Sequence, residues 1–252
     1  MALMDEFREE REKVRNGTWK QKLAYFWEYY KWYVIVPALI IGFVGSTIYQ
    51  KVTAPDIILN GVLLNVYSME ADSGTQKVID EFSKEKNIDT KEYEVTLNTS
   101  MHYTADDTSG TANYESVQAL MAWTAAGTVD FIGGDHASLT KLAYNGYFVD
   151  LRKFLNKDEL KKYEPYFLYM DAAVSNTLDN SLENDVDSAT VKIPDCTDPN
   201  SMKEPIPVMI DLSKNAKFGE IYTNSDALAV GLAQNAPNKE MLLEFLDFLI
   251  EE

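Results

Sequence analysis

The chain has 252 residues, 46% hydrophobic and 12% aromatic, which is ample for a packed core and too apolar for a disordered chain. Lys and Arg number 23 against 40 Asp and Glu, and the net charge of −17 opposes any polyanionic partner, which excludes DNA and RNA. The single cysteine, Cys196, excludes an internal disulfide and a multi-thiolate zinc site; with only His102 and His136 besides, no metal and no cofactor are expected.

Residues 1–16 read as a short charged helix. Trp19, Leu23, Phe26, Trp27 and Tyr30 then recur at helical spacing with Lys20, Lys22 and Lys31 off the stripe, which predicts an amphipathic helix in a membrane interface within a cytoplasmic segment 1–32. No charge occurs between Lys31 and Lys51. Tyr33–Tyr49 is 17 residues long, and with Trp32 and Gln50, at about 1.5 Å rise each, it just spans a hydrocarbon core of roughly 30 Å. Trp32, Tyr33 and Tyr49 place aromatic rings at both ends of a predicted anchor over residues 33–50, with Pro37 expected in its first turn. A buried core helix and a cleaved signal peptide pass similar tests, but the length of the uncharged run, the residues before it and Pro55 after it favour a retained anchor. Just before the span, over residues 13–32, Lys13, Arg15, Lys20, Lys22 and Lys31 oppose only Glu28, so the N-terminus is expected inside and residues 53–252 outside the membrane.

From Thr53 onward 15 Lys and Arg meet 34 Asp and Glu, so all of the net acidity lies in that part. Ile57–Tyr67 is apolar enough for a strand buried on both faces. A helix over 75–86 with Val78, Ile79 and Phe82 on one face follows, then an alternating strand over Tyr93–Asn98. A helix over 114–126 with Val117, Leu120, Met121 and Thr124 on its stripe, a third strand over Val129–Gly133, and a helix carrying Leu139, Leu142 and Ala143 complete three strand–helix repeats. That alternation predicts an α/β fold with a mainly parallel sheet and right-handed crossovers. The last helix, 238–250, carries Met241, Leu242, Phe245, Leu246 and Leu249 on one face and is expected to be integral to the core.

The stretches Val117–Ile132 and Leu142–Leu151 resemble extracellular solute-binding proteins of bacterial ABC transporters. The shared features are a helix ending in a small residue and Gly (Ala126-Gly127), an Asp opening the next strand (Asp130), and a Gly-aromatic-x-x-Asp-Leu turn (Gly146 to Leu151). Ala236–Leu249 is similar to the helix that closes those proteins. The resemblance implies a periplasmic-binding-protein-like lobe of the type II fold, preceded here by a single transmembrane helix, and a binding role toward a solute as accessory to a transporter. Two features depart from the family. Residues 156–235 are too few for a complete second lobe, and the chain keeps an anchor with a cytoplasmic flank.

Open α/β sheets bind ligands outside the carboxyl ends of their strands. The expected site residues are therefore Tyr67 and Ser68 after the first strand, Asn98, Ser100 and His102 after the second, and Asp135 and His136 after the third. Gly133 and Gly134 are read as the turn off the third strand and Asp135 as a helix cap. Aromatic, amide and carboxylate groups suit a sugar or a peptide, and half a cleft favours an envelope or membrane protein as the other wall. The acidic run from Asp179 to Asp198 (Asp179, Glu183, Asp185, Asp187, Asp195 and Asp198) lacks the spacing of a calcium loop and reads as solvated. No catalytic motif is present, so a non-enzymatic binding protein is expected; the competing reading is a cell-surface hydrolase of sugars or peptides using some of the many carboxylates.

Overall fold

The computed structural model describes residues 18–66, 71–104, 111–180, 190–222 and 227–250. The chain divides into two compact units between Ala54 and Pro55. In the first unit, helix α1 runs without a break over Trp19–Thr53. The division anticipated at residue 32 is a change in hydropathy and not in backbone: no Gly or Pro interrupts residues 19–36, so the helix continues through it. Pro37 consequently stands inside α1 rather than in a first turn, and removes the bond its N–H would make to the carbonyl of Tyr33. The hydroxyls of Thr47 and Thr53 donate to the carbonyls of Phe43 (2.8 Å) and Tyr49 (2.7 Å), which satisfies these polar groups within the helix. Lys31–Thr53 has 23 residues with mean hydropathy 1.8 and its apolar window is not buried. It is long and apolar enough to cross a membrane, and it is not a core helix. The charged segment 1–16 lies outside the described residues.

The second unit is α/β, built on one mixed six-stranded sheet in the order β2-β1-β3-β6-β5-β4. Its elements are β1 (Asp56–Leu64), α2 (Ala71–Glu85), β2 (Tyr93–Met101), α3 (Thr111–Ala125), β3 (Phe131–Asp135), α4 (His136–Tyr144), α5 (Leu151–Phe154) and α6 (Lys157–Tyr163). They continue with β4 (Phe167–Asp171), α7 (Ala172–Asp179), β5 (Pro205–Asp211), α8 (Ala216–Ile221), β6 (Leu228–Leu232) and α9 (Lys239–Ile250).

Strand β1 pairs parallel with both β2 and β3, as the strand–helix repeats require. The expectation of a mainly parallel sheet is nevertheless corrected: β3·β6, β6·β5 and β5·β4 are all antiparallel. Residues 156–235, too few for a second lobe, add three strands to the same sheet instead. Pro205 and Pro207 masked β5, since proline is disfavoured inside a sheet. They are tolerated because β6 pairs only with Met209–Asp211, and the β4 register shifts between Leu168 and Tyr169, opposite Pro207.

Helices cover both faces. On one, Leu59, Leu63 and Phe131 of the sheet meet Val78 and Phe82 of α2, Phe218 and Ile221 of α8, and Leu242, Phe245 and Leu249 of α9. On the other, Val62, Leu64 and Ile132 meet Leu120 of α3 and Leu139 and Leu142 of α4. Gly61 lies under the Phe131 ring, where a Cβ would come within 2.2 Å of it. The stripe of α3 is rotated from the expected one: Met121 is exposed, and Ser116, Leu120 and Thr124 are buried. Gly133 and Gly134 are not a turn; they are buried within β3, and α4 starts directly after Asp135. A Cβ on Gly133 would meet Leu63 at 2.7 Å and Phe218 at 2.9 Å, which is why glycine stands there.

Three carboxylates tie these parts together. Asp130, fully buried, accepts from the N–H of Asn60 (2.8 Å), the N–H of Asn238 (2.8 Å) and the amide of Asn238 (3.2 Å), joining β1 to the start of α9. Asp171, 3% exposed, accepts from the N–H groups of Ala173 (3.0 Å), Lys203 (2.8 Å) and Glu204 (3.0 Å). The third, Asp135, stands at the candidate site.

Candidate functional site

Strand β1 ends because Asn65 adopts a positive φ of 60°, a conformation that asparagine tolerates better than most residues. From there its amide donates to the carbonyl of Tyr103 (2.6 Å), Asp135 Oδ2 (3.0 Å) and Ser138 Oγ (3.2 Å), while its Oδ1 accepts the N–H of Tyr103 (2.8 Å). Asp135 Oδ1 accepts the N–H of Ser138 at 2.9 Å and so caps α4. Its side chain joins the end of β1 to α4, and Asn65 and Ser138 tie both to Tyr103 in the segment after β2.

His136, the next residue, points elsewhere. Its Nε2 lies 3.2 Å from Asp211 Oδ1, 3.3 Å from Ser213 Oγ and 3.3 Å from the carbonyl of Leu228, at the ends of β5 and β6. Burial pushes the imidazole's proton affinity down, but the neighbouring Cys196 sulfur and Asp211 carboxylate outweigh it and hold the pKa above the ordinary histidine value. A cavity of about 410 Å³ opens against this group, lined by His136, Ala137, Thr140 and Lys141 of α4 and by Ile193 to Cys196. The thiol-bearing segment is pinned to the sheet edge, where the Cys196 carbonyl accepts the N–H of Tyr169 at 2.8 Å.

The Asp211, Ser213 and His136 trio has the residue types of a hydrolytic triad but not its wiring. A triad base donates through one ring nitrogen to its carboxylate and accepts through the other from its serine. Here both partners face Nε2, and the Ser213 hydroxyl donates to Asp211 while accepting the N–H of Leu228 at 3.1 Å. Ser213 fastens β5 to β6.

Of the residues expected from sequence, Asp135 and His136 sit at the carboxyl end of β3, where the crevice was anticipated, with only His136 lining the cavity. Asn98 and Ser100 do not follow the second strand but lie within β2, which runs on to Met101. Asn98 pairs with Val62, itself opposite Ile132, three residues short of Asp135, and its Oδ1 accepts from the N–H (2.9 Å) and hydroxyl (2.7 Å) of Ser100. The convergence of Asn98 with Asp135 and His136 is therefore not formed. His102 does follow β2; it is exposed, and its carbonyl accepts the Ser116 hydroxyl at 2.6 Å. Tyr67 and Ser68 lie outside the described residues, as do Glu183, Asp185 and Asp187 of the acidic run. Asp195 Oδ1 accepts from the N–H and hydroxyl of Thr197, both at 2.9 Å, and Asp198 Oδ1 accepts the N–H of Asn200 at 3.1 Å. Among the described residues no three His, Cys, Asp or Glu side chains are grouped to hold a metal ion.

Sequence reasoning missed Asp211, Ser213 and Cys196 as neighbours of His136. The one signal present was that the chain's sole cysteine follows Ile193-Pro194-Asp195 in a polar stretch, an unusual setting for a residue type that is most often buried.

No family model, curated protein or solved structure matches the chain.

Proposed function

We propose that this is a single-pass membrane protein that displays an α/β binding unit on the extracytoplasmic side and captures a small polar solute, such as a sugar or peptide, or a segment of an envelope protein, without catalysing a reaction. The observation that carries the proposal is the union of a 23-residue apolar helix left unburied with a second compact unit, Pro55–Glu252, that has its own core. The Lys/Arg excess before the span supports an N-terminus inside. The solute-binding-like reading draws support from the parallel β2-β1-β3 half of the sheet and from the cavity where α4 begins after β3. Asp130, Asp135 and Asp171 hold structural N–H and amide groups, which supports a binding role over a hydrolytic one.

Two measurements test this reading. Protease added to intact protoplasts expressing the chain is expected to digest residues 55–252 and to spare residues 1–31; protection of the C-terminal unit overturns the orientation. Equilibrium binding of sugar and short-peptide collections to the full chain in nanodiscs is expected to yield ligands of about micromolar affinity or weaker, because the cavity encloses only part of a ligand. Ala137→Trp, which fills the cavity wall, should abolish that binding. Ligands whose affinity is unchanged by it place the binding site elsewhere.

A further inference from the structure

We propose that a cavity beyond the carboxyl end of β5 binds a free α-amino acid with an apolar side chain, its ammonium on Asp211 and its carboxylate on Lys214. The cavity, about 370 Å³, is separate from the one at α4 and is formed by the start of β4, the connection from β5 to α8 and the last residue of α9. Strands β3 and β5 are both antiparallel to β6, and β1 runs parallel to β2 and β3, so β1, β2, β3 and β5 all end on this edge of the sheet. That is the edge at which open α/β sheets take their ligands.

The bonds already made by the lining side chains show what is left for a ligand. Asp211 spends one oxygen inside the fold: Oδ1 accepts the N–H of Ser213 at 3.0 Å and its hydroxyl, and stands 3.2 Å from His136 Nε2. Among the described residues no donor reaches Oδ2, and the side chain is 38% exposed. One oxygen of a carboxylate whose orientation is fixed in advance therefore remains for the cavity. Lys214 is exposed and, among the described residues, pairs with no carboxylate, Asp211 included. Asn215 offers nothing further, because its Oδ1 accepts the N–H of Phe218 at 2.8 Å and its amide donates to the carbonyl of Leu249. Tyr166, Leu212 and Ile250 make the apolar wall.

Two opposite charges that line one cavity without meeting select the ligand. Lys214 repels a simple cation and Asp211 a simple anion. A divalent metal ion takes about six oxygen ligands, and one carboxylate does not supply them. A sugar presents neutral hydroxyls and needs several uncommitted partners, where the side chains here leave one carboxylate oxygen, one ammonium and the Tyr166 hydroxyl. An α-amino acid carries both charges about a single carbon, so its ammonium can meet Asp211 while its carboxylate meets Lys214, each through a charge-assisted hydrogen bond. In a peptide every added residue moves the two charges apart by up to about 3.6 Å. The cavity stands at the small end of the roughly 300–1,000 Å³ range of ligand sites, which suits one residue whose side chain lies against Tyr166, Leu212 and Ile250. None of this depends on whether the α4 cavity takes a solute.

The test is isothermal titration calorimetry of the full chain in detergent with L-leucine and L-phenylalanine. At least one should bind saturably, one molecule per chain. The matching analogues that lack one charge, 4-methylpentanoate and 3-methylbutylamine for leucine, 3-phenylpropanoate and 2-phenylethylamine for phenylalanine, should each bind about tenfold more weakly or worse. Lys214→Met, at an exposed position where folding is not at stake, should weaken the amino acid by about the same factor, and Lys214→Arg should restore it. Asp211→Asn, which keeps an oxygen for Ser213, should also weaken it about tenfold or more. No saturable binding of either amino acid below about 10 mM, equal binding of an analogue that lacks one charge, or binding unchanged by Lys214→Met overturns the proposal. Binding that Ala137→Trp abolishes and Lys214→Met does not belongs to the α4 cavity, and overturns it as well.

Discussion

In the β2-β1-β3 half of the sheet the strands run parallel and apolar rings seal one face: Phe82 and Phe131 meet Phe245 of α9 at 5.1 and 5.4 Å between centroids. In the β6-β5-β4 half the strands alternate in direction, and carboxylates fasten their ends: Asp171 at the end of β4, and Asp211 with Ser213 at the end of β5. The first half derives most of its order from apolar packing of helices on the sheet, which is non-directional, with Asp130 as its fully buried carboxylate. In the second half the connections carry α7 and α8, and directional hydrogen bonds to carboxylates hold the strand ends in addition to the apolar cover. The two halves should therefore fail under different insults.

The largest expected effect is removal of residues 238–252. Leu242, Phe245, Leu246, Phe248 and Leu249 are all buried, each contributing about 1.5 to 3 kcal/mol, against a typical domain stability of roughly 5 to 15 kcal/mol. The truncated chain should show no cooperative thermal transition; a retained one would mean that the parallel half stands without its aromatic cover. Phe245→Ala should cost about 3 to 5 kcal/mol in urea unfolding at any pH where the protein folds.

Asp171→Ala, which strands the N–H groups of Ala173, Lys203 and Glu204, should cost roughly 2 to 4 kcal/mol near neutral pH. Its pH dependence sharpens the contrast. Burial pushes the Asp171 carboxyl up, but the N–H groups of Lys203, Glu204 and Ala173 prevail and hold it below the ordinary carboxylate value. A depressed pKa contributes stability that is present above the unfolded value of about 3.9 and is lost as pH falls through the folded value. The gap between parent and Asp171→Asn should thus narrow below about pH 4, whereas the Phe245→Ala gap should not.

Gly61→Ala probes the parallel half from the opposite side. The added methyl meets the Phe131 ring, so overpacking should cost about 1 to 3 kcal/mol, measurable as a lowered midpoint in urea. The smallest effect belongs to His136, at the seam between the halves. Its pKa is raised, so its contribution is complete below about 6.5 and is lost as pH rises through the folded value. Parent and His136→Gln should converge in stability on going from about pH 6 to 9. Divergence over that range would reverse the assigned sign.

Much of the first half is legible in residue spacing. Val78 with Phe82, and Leu242 with Phe245 and Leu249, announce helical faces through periodicity alone, and the fold buries those residues. Residues 205–232 announce little. Pro205, Pro207 and Gly231 break the pattern of two short strands whose pairing lies with residues distant in sequence. At the site, Asp135 and His136 are both legible as the end of a strand, yet one side chain turns to Asn65 and the other to Asp211. Asn98 is misplaced by pattern because polar residues of an edge strand look like a loop.

Residue order alone carries the acidic balance, the apolar span of α1, three strand–helix repeats and the apolar face of α9, since each is a property of residues near one another along the chain. Folding in three dimensions is what makes residues 156–235 extend the same sheet with antiparallel strands, sets Pro37 inside a continuous helix, and brings His136 beside Asp211 and a cavity it shares with Cys196. The physical reason is that strand direction and side-chain encounter depend on pairing between segments 18 to 101 residues apart, and local periodicity carries no record of which segment supplies the partner.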